Sequence, residues 1–162
     1  MPNDSRHTKE PGFRQLTLLQ INDTHGYLEP HPELVWSHEG PQFPTLGGFA
    51  RIKALFDAAR ADAPEAVLAF DNGDTFHGTY AAVSTRGESL VPLINALGLS
   101  AMTAHWDFAW GPAHMAHLAG KLRHPLLAAN CWRISDGSRP FPASVTCHAG
   151  GLTVGVIGIA AT

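Results

Sequence analysis

Cysteine is nearly absent: Cys131 and Cys147 are the only two in 162 residues. They do not form a C-x-x-C pair, so both are read as buried small hydrophobes rather than as a disulfide or a thiolate zinc site. Charge is sparse as well, with 15% Asp, Glu, Lys and Arg and a formal net charge of −3. No cluster of Lys or Arg stands out, so nucleic acid is not an expected partner. No apolar run is long enough to span a bilayer, and no membrane partner is expected. The opening "MPNDSRHTKEPGFRQ" lacks the apolar stretch of a secretory signal. As written the chain is expected to be cytoplasmic, or periplasmic or secreted if its N-terminus is incomplete. Internal repeats and low-complexity tracts are missing too.

What the chain has is 16 Gly, 12 Pro and a 44% hydrophobic share, which read as a loop-rich globular protein able to bury a core. It also has ten His, a high count for this length. Histidine is the commonest metal ligand, so the excess favours a metal site without locating it.

"LTLLQIN" (Leu16 to Asn22) reads as a buried strand, followed by a long unstructured loop from Gly26 to Leu46. "GGFARIKALFDAARAD" puts Phe49, Ile52, Phe56 and Ala59 on one helical face. "AVLAF" (Ala66 to Phe70) is a second strand, and a helix over Glu88–Leu97 turns Leu90, Ile94 and Leu97 inward. "LSAMTA" and "PLLAAN" are a third and fourth strand, separated by a helix that opens at Pro112 and buries Met115, Leu118 and Leu122. "ASVTCHAGGLTVGVIGIA" reads as two strands about a Gly-Gly turn. Strands alternating with amphipathic helices predict an α/β fold with a parallel or mixed sheet.

In such sheets functional groups gather beyond the carboxyl ends of the strands. The first strand ends at Asp23 and His25, the second at Asp71 and Asp74, the third at His105 and Asp107. Taken singly, an Asp-x-His or a Gly-Asp is as readily a turn. Three strand ends delivering carboxylates and imidazoles to one edge favour a metal ion, and without thiolates the ion is hard or borderline: Mn, Zn, Fe or Ca.

The stretches "NDTHG" (Asn22–Gly26), "GGFARI" (Gly47–Ile52) and "DNGDTFHGTY" (Asp71–Tyr80), then a His-bearing strand end, resemble the calcineurin-like metallophosphoesterases, and among them the 5'-nucleotidases. "LTVGVIGIAAT" resembles the strand that follows in that branch. The resemblance implies a layered α/β/β/α sandwich of which only the N-terminal half is present. Residues 1–15 are then a polar tail, and residues 16–162 the N-terminal portion of the catalytic domain. It also implies two divalent metal ions (Mn, Zn or Fe), with Asp23 and His25 on one ion and Asp74 bridging. The substrate it implies is a small phosphate ester or nucleotide, as in nucleotide catabolism.

The third motif departs from the family pattern G-N-H-E-F-D-Y-G. Matched without a gap, "AHWDFAWG" (Ala104–Gly111) puts His105 at the metal-binding Asn position and Trp106 at the position of the catalytic His. An imidazole remains a competent ligand. An indole N–H has no useful acidity, so Trp106 cannot protonate a leaving alkoxide. A His-Trp pair here is similar to the thiosulfohydrolase branch, whose thiolate-type leaving group needs less protonation. The expected function is therefore a metal-dependent hydrolase of phosphate esters. The alternatives are a thiosulfohydrolase-like enzyme acting on sulfur-bound sulfate groups, or an inactive truncated metal-binding domain. The family draws its remaining His ligands from segments beyond residue 162, so a C-terminal half or a companion chain is expected to complete the site.

Overall fold

The computed structural model describes residues 12–161, so most of the polar tail assigned to residues 1–15 lies outside the described residues. The chain opens with β1 (Thr17–Ile21), then β2 (His31–Pro32), β3 (Val35–Ser37), β4 (Gly40–Gln42) and β5 (Thr45–Leu46), before α1 (Phe49–Asp62) and β6 (Val67–Asp71). A short α2 (Tyr80–Ser84) and a 3-10 turn (Glu88–Leu90) lead into α3 (Val91–Leu97), β7 (Ala101–Met102) and a second 3-10 turn (Trp106–Trp110). After α4 (Pro112–Ala119) come a long connection and the hairpin β8 (Ser144–Ala149) and β9 (Leu152–Ile157). The architecture is α/β, as the alternation implies. Among the described residues, no helix is long and apolar enough to cross a membrane.

The central sheet has the order β1-β6-β7, and both pairings are parallel. Thr17 lies opposite Val67 and Ile21 opposite Asp71, so β1 and β6 end level and their following loops emerge side by side. The fourth predicted strand, "PLLAAN", shrinks to a single parallel bridge, Met102 with Leu126. The predicted loop 26–46 is a correction: it carries two small antiparallel pairs, β2 with β5 and, nested inside, β3 with β4. Its Pro and Gly residues punctuate those short strands instead of abolishing them.

One sheet face carries the core. Phe49 and Phe56 of α1, Ile94 and Leu97 of α3, and Met115 and Leu118 of α4 join Phe76 and Leu90 in one cluster. Burying each such side chain contributes roughly 1.5–3 kcal/mol. Leu122 packs against this cluster from beyond the end of α4, where it had been expected within the helix. Arg60 of α1 donates to the carbonyls of Leu97 and Gly98, each at 2.8 Å, which ties α1 to the end of α3. Gly98 terminates α3 in the left-handed conformation at φ 65°, a position that favours glycine. On the other face of β1, Leu18 and Gln20 are exposed. The two Cys are half-buried and unbridged, and Cys131 packs against the core.

Candidate metal centre

The rim of this sheet is built by two loops laced together through their backbones. Asn72 N–H donates to the carbonyl of Ile21, Asp23 N–H to that of Gly73 and His25 N–H to that of Asp74, each at 2.9 Å. Thr79 N–H closes the pattern on the carbonyl of His25 at 3.1 Å. The lacing holds Asp23, His25 and Asp74 at φ 54°, 47° and 60°. Left-handed backbone is uncommon outside glycine, although Asp and His are enriched there among the exceptions. Such conformations cost roughly 1–3 kcal/mol each and persist where surrounding structure over-determines them.

A third loop joins through Asp107, which is buried. Its carboxylate accepts the N–H groups of Asp74 (2.9 Å), Thr75 (2.8 Å), Phe76 (2.9 Å) and His105 (3.0 Å). One carboxylate thus clamps the loop after β6 to the loop after β7. Asp71 is buried beside this clamp, accepting from Gly73 N–H and the Thr75 hydroxyl. Burial pushes the Asp71 carboxyl up to about 7 against the pull of those two donors.

Asp74 is the hub. Its Oδ2 lies 2.6 Å from His105 Nδ1 and 3.8 Å from His25 Nε2. Its Oδ1 lies 2.6 Å from His77 Nε2 and accepts Trp106 N–H at 3.0 Å. Burial works to raise the Asp74 carboxyl, but the hydrogen bonds from His77, His105 and the Trp106 N–H outweigh it and hold the group down at about 2. An ionised carboxylate only accepts, so His77 Nε2 and His105 Nδ1 carry the protons that face it.

Asp23, His25 and Asp74 each offer one ligand atom, and the three lie within 4.8 Å of one another. His25 Nε2 is 3.6 Å from Asp23 Oδ1. Two carboxylates and an imidazole at this spacing fit a hard or borderline cation, whose bonds to such donors run about 2.0–2.2 Å. Three of the four expected ligands are therefore brought together. His105 lies against Asp74 but outside that converging set, with Nδ1 committed to the carboxylate. Trp106 is 68% exposed, so it is a rim side chain and not a core aromatic.

His77 is not among the four expected ligands, yet its ring touches the hub and stands edge-on to His25, with ring centroids 5.0 Å apart. Its spacing, three residues after Asp74, acquires meaning only once the turns of this loop are known. Three other His residues have partners of their own. His31 stacks on Tyr27 and pairs with Glu33, His114 meets the carbonyl of Arg86, and His117 pairs with Glu88. A groove of 340 Å³ lined by Phe70, Met102, Leu127, Val156 and Ile159 runs up to His105.

No family model matches the chain. A probable 5'-nucleotidase of Treponema pallidum (strain Nichols) is 31% identical over 121 residues, covering 74% of this chain and 20% of that protein. The crystal structure of a 5'-nucleotidase precursor from Thermus thermophilus superposes with a TM-score of 0.73 at 32% identity, over 90% of this chain and 28% of that one. The sulfate thiohydrolase SoxB of the same organism gives a TM-score of 0.77 at 23% identity, over 94% of this chain and 36% of that one, a likeness of fold. The chain spans about a fifth of the length of the curated relatives it matches. With the strand-end motifs assembled on one rim, the chain is similar in sequence and fold to the N-terminal part of the 5'-nucleotidase branch of the calcineurin-like metallophosphoesterases.

Proposed function

We propose that this chain is part of a metal-dependent hydrolase of phosphate esters, of the 5'-nucleotidase kind, acting on a nucleotide or similar small molecule. The observation that carries the reading is the convergence of Asp23, His25 and Asp74 on one rim. Asp23 and His25 would hold one divalent cation, Mn, Zn or Fe. Asp74 would be shared with a second, to which His105 offers Nε2 because Nδ1 faces Asp74. Bound there, the cations would neutralise phosphoryl oxygens and lower the pKa of a water. Asp74, ionised throughout the neutral range, supplies the charge that draws cations to the rim. Trp106 walls the rim and delivers no proton, so protonation of the leaving group falls to water or to residues outside this chain. A C-terminal half or companion chain supplies the remaining ligands.

Cation binding by variants of the longest natural chain tests this. Asp74→Asn is expected to lose more Mn2+ in calorimetry than His105→Ala, because a shared carboxylate bears charge and faces both ions whereas an imidazole serves one. Hydrolysis of p-nitrophenyl phosphate and of a nucleotide is followed alongside. Equal metal content in the two variants would remove the shared role of Asp74, and absence of phosphoester turnover with metals bound would remove the activity.

Trp106 favours a second reading, hydrolysis of a sulfur-bound sulfate group on the same scaffold. Its exposed indole stands where the resembled family keeps an acid, and a thiolate leaving group dispenses with one. Trp106→His is the discriminating variant. Under the phosphoester reading it should raise phosphomonoesterase turnover by about 10²-fold, the usual contribution of a positioned general acid. Unchanged turnover with cations bound, together with thiosulfonate hydrolysis by the unmodified chain, would select the sulfur reading.

A further inference from the structure

The two oxygens of Asp74 are treated differently. Oδ2 looks toward His25 and accepts one donor, His105 Nδ1–H at 2.6 Å, whereas Oδ1 is gripped by two, His77 Nε2–H at 2.6 Å and the Trp106 N–H at 3.0 Å. We infer that His77 is a positioning residue: its Nε2–H fixes Oδ1 and so presents Oδ2 to the Asp23–His25 side of the rim.

Three observations carry this. The terminal torsion of an Asp side chain is broad and roughly two-fold, so a single donor on one oxygen leaves the carboxylate free to swing. On Oδ1 the Trp106 N–H is that single donor and His77 supplies the second. The donor on Oδ2, His105 Nδ1–H, belongs to a side chain that is 39% exposed against 18% for His77, so His77 is the better-held of the two imidazoles. His77 is itself held, because its side chain is 18% exposed and its ring packs edge-on against His25 at an interplanar angle of 87°. The next residue, Gly78, leaves no slack: at φ 107°, an added Cβ would stand 2.5 Å from the carbonyl oxygen of His25. Finally, His77 stands outside the set of converging ligand atoms, so it acts on the carboxylate and not as a fourth donor to the same point. Partners that orient a ligating carboxylate typically contribute 10–100-fold to metal affinity.

The inference rests on the metal-centre reading, and the test separates the two. Co2+ affinity and its d–d absorption spectrum are measured for the full chain carrying His77, His77→Gln or His77→Phe, with thermal unfolding of each cation-free form as a fold control. The phenyl ring preserves bulk and removes the donor; the Gln amide restores a donor. Phe is expected to bind Co2+ about 10- to 100-fold more weakly with an altered spectrum, and Gln to recover most of the affinity. Equal affinity of the His and Phe forms, or a Gln form as weak as Phe, overturns the positioning role while leaving the metal centre intact. No Co2+ binding by the unmodified chain overturns the metal centre, and this role with it. Nitrogen-15 NMR of the unmodified chain is independent of any variant's folding: the expected signal is an Nε2–H tautomer at His77, and an Nδ1–H tautomer overturns the proposal.

Discussion

His124 is 6% exposed and its Nε2 is buried with no hydrogen-bond partner. Burial pushes the imidazole down to about 4, well below its ordinary 6.5, so the folded chain keeps it neutral. Between those two values the unfolded chain takes up a proton that the folded one refuses. The associated stability is therefore full above about pH 6.5 and lost as pH falls toward 4, by up to about 3 kcal/mol. Asp71, held up at about 7, shifts stability the opposite way over this interval, so the contribution is read as a difference. In urea unfolding between pH 7.5 and pH 5 the unmodified chain should lose about 2 kcal/mol relative to His124→Leu, and no such difference would place the pH dependence elsewhere. At this scale legibility was uneven. Asp23, His25 and Asp74 could be read because strand ends point functional groups at one edge. Asp107 matched a motif position, but nothing in the sequence signals that it clamps four backbone N–H groups, since such bonds depend on where two distant loops meet. His77 was obscured for the same reason: a His three residues from an Asp carries no pattern until the loop's left-handed turns are known.

Among the elements, the turn after β6 has the least room to vary. Gly73 sits at φ 94°, and a Cβ there would stand 2.6 Å from His105 N and 2.7 Å from Asp107 Oδ2. Both neighbours belong to the clamp and neither is the loose end of a flexible side chain. Gly73→Ala should therefore destabilise the chain by roughly 1–3 kcal/mol or more and lower cation affinity in the same variant. Chemical denaturation with parallel metal titration checks it, and an alanine variant with unchanged stability would show that the two loops can separate without cost. The long elements were readable because α1 repeats its apolar positions at helical spacing and β1 and β6 are short apolar runs. The short ones were not. "LSAMTA" yields only two strand residues and "PLLAAN" a single bridge, because an apolar run reports burial and not the length of a ladder. The pairs within 26–46 are two or three residues each, below what periodicity can register.

For the whole molecule, the two kinds of β-structure differ in how far apart their partners lie in the chain. The β8–β9 hairpin turns on Gly150 and Gly151, both left-handed at φ 58° and 71°, and pairs Ala149 with Leu152. That is the two-residue turn whose twist suits a hairpin, and such units form in about 1–10 μs. The β1–β6 ladder pairs Thr17 with Val67, across the whole of loop 26–46 and α1. Closing that span costs entropy before any contact repays it, so it should come late. In stopped-flow experiments Val154→Ala should mainly slow refolding, with φ above about 0.5, and Leu19→Ala should mainly speed unfolding, with φ below about 0.3. The reverse assignment would place the nucleus in the parallel ladder. Since the donors hang from that late-closing ladder, a cation has nothing to grip while the chain is still searching. Added Mn2+ should leave the refolding arm of the chevron where it is and bend only the unfolding arm downward, acting as a latch on the finished rim.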